Sequence, residues 1–324
     1  MLTIEASYST LHPSELLAKV VPQYDIPTPT ACEFWYRGLN DTYKVSTEKE
    51  NFVLRIYRQG WRSCSEVDFE LEALLYLQQK GAHVAVPMAR KAGGFVTAIL
   101  APEGERYVIV TQYAQGDILR FDDAKDAVIF GQAADIHGCS FGFQSASSRH
   151  QLDLKQLLTK PLANIEPYLA HRPEDWEFLN KLAVKIVDLV NSAGTDNLDY
   201  GFCHGDFHGE NAHEHRGTVT HFDFDCCGFG WRIYDLATFK WVIRLLEKEE
   251  QLWSSFLRGY QSKREISALD LSLIETFIAM RDIWLLGVHA ENAQDFAKGL
   301  SCSLFLMIRF DTVSTMRMGE ATSP

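Results

Sequence analysis

The sequence contains no apolar run long enough to cross a bilayer, although 46% of its residues are hydrophobic. Its first residues lack the basic region and the apolar stretch that mark a secretory signal. The seven cysteines are odd in number and irregularly spaced, which favours free thiols in a reducing compartment over a disulfide framework. We therefore expect a cytoplasmic protein that has no membrane as its partner.

Basic residues are also in deficit, since 31 lysines and arginines face 43 aspartates and glutamates, for a net charge of −12. A phosphate backbone needs a basic surface, so nucleic acid is not expected as a partner. The acidic balance could favour a cationic small molecule such as an amine, but it is also ordinary for a soluble protein. No internal repeat or low-complexity tract is evident, and 324 residues suggest two lobes.

Two common zinc signatures, H-E-x-x-H and C-x-x-C, are missing, although histidines and cysteines crowd together between residues 204 and 227. His213 and His215 are two residues apart, as on one face of a strand. A transition-metal site remains an alternative. We expect instead that His208 orients its loop and that Cys226 and Cys227 pack as small apolar groups.

The chemically most informative stretch is 202–236, where Asp206, Asn211 and Asp223 follow one another at short spacing. A carboxylate can orient an attacking hydroxyl and accept its proton, while amide and carboxylate oxygens are hard ligands for Mg²⁺. The pattern predicts phosphoryl transfer from a Mg-nucleotide to a hydroxyl. Asp206 would be the base, and Asn211 and Asp223 the metal ligands. A turn-rich loop with solvated polar side chains is the structural alternative.

Two further aspartates in this stretch each allow two interpretations. Asp225 could be another carboxylate on the metal, and we assign it there, or it could be a buried hydrogen-bond acceptor. Asp235 stands at the start of an expected helix, for which we favour a structural role. It would either cap that helix or brace the loop that carries Asp206.

The same stretch resembles the catalytic loop and metal-binding segment of eukaryotic-like kinases. The protein-kinase pattern H-R-D-L-x-x-x-N followed by D-F-G appears here as H-G-D-F-H-G-E-N at 204–211 and D-F-D at 223–225. Glycine at 205 and histidine at 208 depart from the protein-kinase form. Both are carried by the aminoglycoside phosphotransferase/choline kinase family, as is Y-D-L-A at 234–237. The resemblance implies a bacterial small-molecule kinase that uses ATP, or alternatively GTP, with Mg²⁺.

This resemblance also implies a fold and its divisions. We expect an α+β, bilobal, protein-kinase-like fold. A small N-lobe with an antiparallel sheet would span 1–112, a hinge 113–117, and a larger, mainly helical catalytic and acceptor-binding lobe 118–324. The residue patterns predict strands within 30–57 and helices over about 122–138, 153–169 and 174–193, with Gly138 as a C-cap and mostly helical segments over 232–316.

Arg55 lies on an apolar strand at the position where kinases place a phosphate-binding lysine. A cation in such surroundings needs a partner, and Glu70 on the following amphipathic segment is the candidate, with Glu72 as a competitor. By resemblance, the Arg55–Glu70 pair would position the α and β phosphates of the nucleotide. Arginine departs from lysine because it is planar and permanently charged. An arginine on an exposed strand face is the alternative.

The resemblance assigns three more residues to the nucleotide. The turn around Asn40 occupies the position that covers the phosphates in this family, although it lacks a full G-x-G-x-x-G and could be an ordinary hairpin turn. Gln112 and Ala114 lie in a segment that resembles the kinase hinge, which offers backbone groups to adenine. A plain linker is the alternative there.

In this family, helices near the C-terminal end shape the acceptor site. Six residues there could contact the acceptor, but we expect packing or solvation for each and take none as a site residue: Trp231, Arg232, Arg281, Asp282, Trp284 and Glu291. The expected acceptor is a hydroxyl of an amino alcohol, a sugar or an aminoglycoside-like molecule. One alternative is a Ser/Thr protein kinase similar to the bacterial stress-response kinase, with a protein acceptor. Another is a nucleotide-binding pseudokinase.

Overall fold

The structure, a computed structural model, describes residues 6–293. The α-helices within these residues are, in chain order, α1 (Pro13–Lys19), α2 (Cys64–Gln79), α3 (Ala124–Ala133), α4 (Ile136–Cys139), α5 (Lys160–Ile165), α6 (Pro173–Ala193), α7 (Ile233–Leu245), α8 (Glu249–Gln261), α9 (Ala268–Ser272) and α10 (Ile274–Glu291). The strands are β1 (Pro29–Arg37), β2 (Asp41–Thr47), β3 (Asn51–Ile56), β4 (Thr97–Ala101), β5 (Gly104–Gln112), β6 (Asp117–Ile118), β7 (Tyr200–Cys203), β8 (Ala212–His215), β9 (Thr218–His221) and β10 (Gly228–Trp231). The predicted helical segment beyond residue 293 lies outside the described residues.

The predicted N-terminal sheet is confirmed as a five-stranded antiparallel sheet of order β1-β2-β3-β5-β4. Side chains alternate between its faces, as strand geometry requires. Tyr43, Leu54 and Val110 are register neighbours on one face and are fully buried in a core that also includes Leu16 of α1. Arg55, between two core positions of β3, therefore lies on the opposite face of the sheet.

Contacts divide the chain into two compact units. The first comprises the chain up to Leu119 together with Cys139–Arg149 and Glu210–Asp225. The second comprises Arg120–Gly138, His150–Gly209 and the chain from Cys226 onward. The fold class is α+β, with a sheet early in the chain and a mainly helical region later. The expected limits of the lobes and the hinge at 113–117 stay a prediction.

An aromatic cluster forms the centre of the second unit. Phe130 of α3 stacks on Phe207 with ring centroids 4.6 Å apart, and Phe239 of α7 stacks on Phe256 of α8 at 4.1 Å. A Cβ at Gly259 would lie 2.1 Å from the carbonyl oxygen of Val128, so the close approach of α3 and α8 requires glycine there. The cluster anchors the residue that directly follows Asp206.

Several predicted boundaries differ from the structure. The helix expected over 122–138 ends at Ala133, and α4 follows as a separate short turn, so Gly138 lies inside a helix and is not a C-cap. The segment 153–169 combines a π-helical turn at Lys155–Thr159, α5 and a 3₁₀ turn at Glu166–Leu169. Helix α6 agrees with its prediction and ends at Ala193, and the next residue, Gly194, has a φ of 76° that suits glycine.

No helix within the described range is long and apolar enough to cross a membrane.

Candidate active-site residues

A buried aspartate in the second unit fixes the loop that carries Asp206. Asp235 accepts hydrogen bonds from the backbone N–H groups of His204, at 2.7 Å, and Gly205, at 2.8 Å. Its Oδ2 also lies 2.9 Å from Nε2 of His137. Helix α7 begins two residues earlier, at Ile233, without a side-chain cap. Of the two expected roles for Asp235, bracing the loop is therefore correct and capping the helix is wrong.

The loop also depends on glycine at residue 205. Gly205 has a φ of 81°, in the left-handed region that favours glycine. A Cβ at this position would lie 2.1 Å from the carbonyl oxygen of Cys226, which leaves no room for any other residue. The lack of space for a Cβ thus explains why the H-G-D pattern has glycine at residue 205.

The Asp206 carboxylate lies between two basic side chains. Arg281 donates from Nη2 to Oδ1 at 2.5 Å, and Nε2 of His208 lies 3.3 Å from Oδ2. Burial by itself would raise the pKa of this carboxyl, but the charges of His208 and Arg281 outweigh burial and hold the pKa well below its usual range. The side chain remains 23% exposed, so an ionised carboxylate is available to a ligand.

Arg281 of α10 was not among the predicted site residues. It is only 4% exposed, and its guanidinium lies 4.6 Å from the Trp284 ring centroid and 5.6 Å from that of Trp241. Nη1 also reaches the carbonyl oxygen of Gly205 at 3.4 Å. The sequence signal was weak, since Arg281 stands directly before Asp282 on a helix whose other residues are mostly apolar. Arg281 thus contacts both the Asp206 carboxylate and the backbone of the loop that carries it.

Replacing Arg281 by methionine should make kcat sensitive to acid. Because the charge of Arg281 helps to keep the pKa of Asp206 low, its loss should raise that pKa. In the role of base predicted above for Asp206, the ionised carboxylate is the active form, so the acid limb of the pH–kcat profile should move to higher pH, while kcat near pH 8 stays close to that of the wild type. Arg281→Lys retains a cation and should shift the limb less. An unchanged acid limb in Arg281→Met would contradict this role.

The predicted Arg55–Glu70 ion pair is confirmed in the first unit. Nη1 of Arg55 donates to Oε1 of Glu70 at 2.7 Å, and the Tyr57 hydroxyl donates to Oε2 at 2.8 Å. Nη2 of Arg55 lies 3.0 Å from Oδ1 of Asp223. The competing carboxylate, Glu72, instead accepts hydrogen bonds from serines at 145 and 147.

These contacts set the charge state of Arg55. Burial alone would lower the pKa of its guanidinium, but the carboxylates of Asp223 and Glu70 outweigh burial and raise that pKa well above its ordinary value. Arg55 is 11% exposed and Asp223 43% exposed, so the pair opens to solvent on the Asp223 side.

Asn211 and Asp223 flank the open end of the β8–β9 hairpin. In this hairpin Ala212 pairs with His221, and the N–H of Phe222 donates to the carbonyl oxygen of Asn211 at 3.0 Å. Asp223 has a φ of 64°, unusual for a residue with a Cβ. Such strained conformations cluster at functional sites. The pairing of the two strands therefore brings the backbone of Asn211 close to the backbone of the segment that leads into Asp223.

Asp225 and Asn40 are directly bonded to each other. Nδ2 of Asn40 donates to Oδ2 of Asp225 at 2.6 Å, and both side chains are buried. The structure therefore places Asp225 as a buried hydrogen-bond acceptor, which was one of its two expected roles. The amide of Asn40 is turned to this carboxylate.

Two backbone groups of the predicted hinge residues already form hydrogen bonds within the protein. The N–H of Gln112 donates to Val86 at 2.8 Å, and the carbonyl oxygen of Ala114 lies 2.7 Å from Nδ1 of His213. The ring of His213 therefore supports this segment from β8.

Within residues 6–293, no group of three or more His, Cys, Asp or Glu side chains could hold a metal ion.

Fold and residues together define a kinase-like phosphotransferase. The chain matches the family model described as "Phosphotransferase enzyme family" (APH) over residues 36–268, and it belongs to this family. It is thus an enzyme that transfers phosphate to an alcohol group.

Three relatives illustrate the similarity. An uncharacterized protein of Synechocystis sp. is 35% identical over 288 residues, covering 88% of this chain and 80% of that protein. The structure of the amicoumacin kinase hAmiN in complex with AMP-PNP, Ca²⁺ and Ami has a TM-score of 0.76 at 20% identity, covering 94% of each chain. A microcompartment-associated aminopropanol kinase has a TM-score of 0.68 at 23% identity, covering 92% of this chain and 97% of the other. At these identities the two solved structures establish the fold alone.

Proposed function

We propose that this protein transfers the γ-phosphate of ATP to a hydroxyl of a small molecule. The observation that carries the proposal is the Asp206 carboxylate, held ionised by Arg281 on a loop that Asp235 braces. Asp206 would orient the acceptor hydroxyl and take its proton late, because phosphoryl transfer is loose and needs little force from a base. The names of the amicoumacin and aminopropanol kinases support a small-molecule acceptor.

The first unit would hold the nucleotide. Arg55 would neutralise the α and β phosphates, with Glu70 fixing the direction of its guanidinium. The N–H of Gln112 and the carbonyl of Ala114 already have partners, so the carbonyl of Gln112 and the N–H of Ala114 would face the edge of adenine. Guanine presents a different edge, which makes ATP the preferred donor over GTP in this proposal.

Asn211 and Asp223 suit Mg²⁺ by their chemistry. An amide oxygen and a carboxylate form an all-oxygen donor set, and Mg²⁺ is usually held by few protein ligands while it keeps several waters. When bound, the ion would neutralise the charge of the β and γ phosphates. Asp223 would contribute through a carboxylate already oriented by Arg55.

Removing the Arg55–Glu70 pair should weaken nucleotide binding. We expect Arg55→Met to raise KM for ATP by about 10–100-fold, because a charge-assisted contact to phosphate contributes about 1.5–3 kcal/mol. Glu70→Gln should have a smaller effect in the same direction. Glu72→Gln is the matched control, since Glu72 lies on the same helix but bonds to two serines. Equal effects of Glu70→Gln and Glu72→Gln would contradict the assignment.

The function is tested by following label from γ-labelled ATP with Mg²⁺ into pooled acceptors. The pools contain amino alcohols, sugars, aminoglycosides, nucleosides and generic protein substrates, and Asp206→Asn is the control. Label in one small-molecule pool that disappears with Asp206→Asn supports the proposal. Label in protein, including the enzyme itself, would show a protein kinase. ATP binding without transfer to any pool would show a pseudokinase.

A further inference from the structure

Asp225 receives hydrogen bonds from several separate segments of the first unit. Its Oδ2 accepts from Nδ2 of Asn40 at 2.6 Å and from Nε1 of Trp61 at 3.1 Å. Its backbone carbonyl accepts from Nε of Arg62 at 2.8 Å and from Nη2 of Arg149. One residue therefore joins the turn before β2, the loop before α2 and the segment that ends at 149.

The turn before β2 is held from its other side as well. Oδ1 of Asn40 accepts from the N–H of Arg58 at 3.2 Å, and Nε of Arg58 donates to the carbonyl oxygen of Leu39 at 3.1 Å. Asn40 is 7% exposed, so its amide is fixed inside the protein. The amide of Asn40 thus joins this turn to Asp225 through Nδ2 and to Arg58 through Oδ1.

The surroundings of the two aspartates in the D-F-D segment are opposite. Asp223 is 43% exposed at its side chain and pairs with Arg55, while Asp225 is 5% exposed as a residue. A buried carboxylate needs compensating donors, and the N–H groups of Asn40 and Trp61 provide them on one oxygen. A cation at that oxygen would displace both donors and leave them unsatisfied.

We propose that Asp225 is a positioning residue, which latches the turn at Leu39 and Asn40 to the segment that carries Asp223. The proposal rests on the function proposed above, since it makes the latch set the distance between the phosphate-covering turn and a metal-binding carboxylate. Asp223 alone of the two aspartates then contacts the ion. Trp61 and Asn40 are the partners through which the latch acts.

Hydrogen exchange of the nucleotide-free protein tests the latch itself. Trp61→Phe removes the indole N–H but keeps an aromatic ring, and Asn40→Ala removes the amide. In both variants, peptides covering 36–45 and 219–228 should exchange about tenfold faster. Trp176→Phe, the same change near the start of α6, is the control and should leave both peptides unchanged. Unaltered exchange in Trp61→Phe and Asn40→Ala would overturn the latch, whether or not the protein binds ATP.

Binding of AMP-PNP at varied Mg²⁺ concentration separates a latch from a metal ligand. Asp225→Asn, Trp61→Phe and Asn40→Ala should each weaken AMP-PNP binding by about tenfold at saturating Mg²⁺. The Mg²⁺ concentration for half-maximal binding should change less than twofold. Trp61→Phe should have little further effect in an Asp225→Ala background, because both changes break the same contact. A tenfold rise in the Mg²⁺ requirement of Asp225→Asn, with Trp61→Phe silent, would overturn the proposal and make Asp225 a metal ligand.

The two experiments also distinguish failure of the latch from failure of the proposed function. A wild-type protein that binds no AMP-PNP would refute the nucleotide assignment while the exchange result still decides on the latch. A wild-type protein that binds AMP-PNP, with binding unchanged in all three variants and exchange unchanged in Trp61→Phe and Asn40→Ala, would refute the latch alone.

Discussion

Replacing Asp206 by asparagine should lower kcat by about 10²–10⁴-fold, which is the range that a positioned base contributes. KM for ATP should change little, because the groups assigned to the nucleotide lie on other segments. Asparagine keeps the size of the side chain but cannot accept the proton of the acceptor hydroxyl. The measurement is steady-state transfer to the acceptor found in the pooled assay, with AMP-PNP binding measured in parallel.

Asp206→Asn also removes the charged partner of Arg281, so one control variant must remove the charge of Arg281 as well. The buried guanidinium loses its charged partner in Asp206→Asn, and an unpaired buried charge destabilises the fold. The Asp206→Asn/Arg281→Met double variant removes both charges and should be as inactive as the single variant while unfolding at a higher temperature. Asp196→Asn, on a 3₁₀ turn, controls for the loss of one negative charge. Retained turnover in Asp206→Asn would remove Asp206 from the role of base.

Replacing Asp235 by alanine should destabilise the fold by about 3–5 kcal/mol, because it breaks a buried network by removing its acceptor. The N–H groups of His204 and Gly205 and the ring of His137 would lose the carboxylate that they contact. Urea unfolding measures the free energy of unfolding. Asp188→Ala, on an exposed position of α6, should change it by less than about 0.5 kcal/mol.

The loss of stability caused by Asp235→Ala should become smaller as the pH falls. Burial would raise the pKa of Asp235, but the hydrogen bond and charge of His137 outweigh burial and lower it. The stabilisation is therefore complete above the unfolded pKa of about 3.9 and is lost as pH falls through the folded value. The difference in unfolding free energy between wild type and Asp235→Ala should be largest near neutral pH and shrink in acid. A difference that grows in acid would show that Asp235 is not ionised in the folded protein.

Sequence patterns correctly predicted those parts of the fold and the site in which the contacting residues are close together in the sequence. The strands around Arg55 and the capping-box helix α2 follow from alternation and helical spacing, and the Arg55–Glu70 pair joins these neighbouring elements. Asp235 was expected to act structurally because it stands at the start of an expected helix. In each case a few residues carry enough information to define the contact.

The features that sequence reasoning missed depend on distant residues. Arg281 reaches Asp206 from a helix 75 residues later, and nothing near either residue indicates the contact. The two roles of Asp225 could not be separated, because its partner Asn40 lies 185 residues away. Residue type shows that a carboxylate is present, whereas burial and donors, which arise only from the tertiary fold, determine what it binds.

Arginine at residue 55 also determines how this enzyme can be detected. Reagents that acylate the phosphate-binding lysine of kinases need a primary amine at this strand position. The guanidinium of Arg55 is permanently protonated and is not a nucleophile under such conditions. The nearest amine along the sheet, Lys44 of β2, stands opposite Val53 with its Nζ 5.9 Å from the ring centroid of Tyr113. Lysine-directed reagents applied to a cell extract would therefore not label this kinase at residue 55, even where the protein is abundant and active.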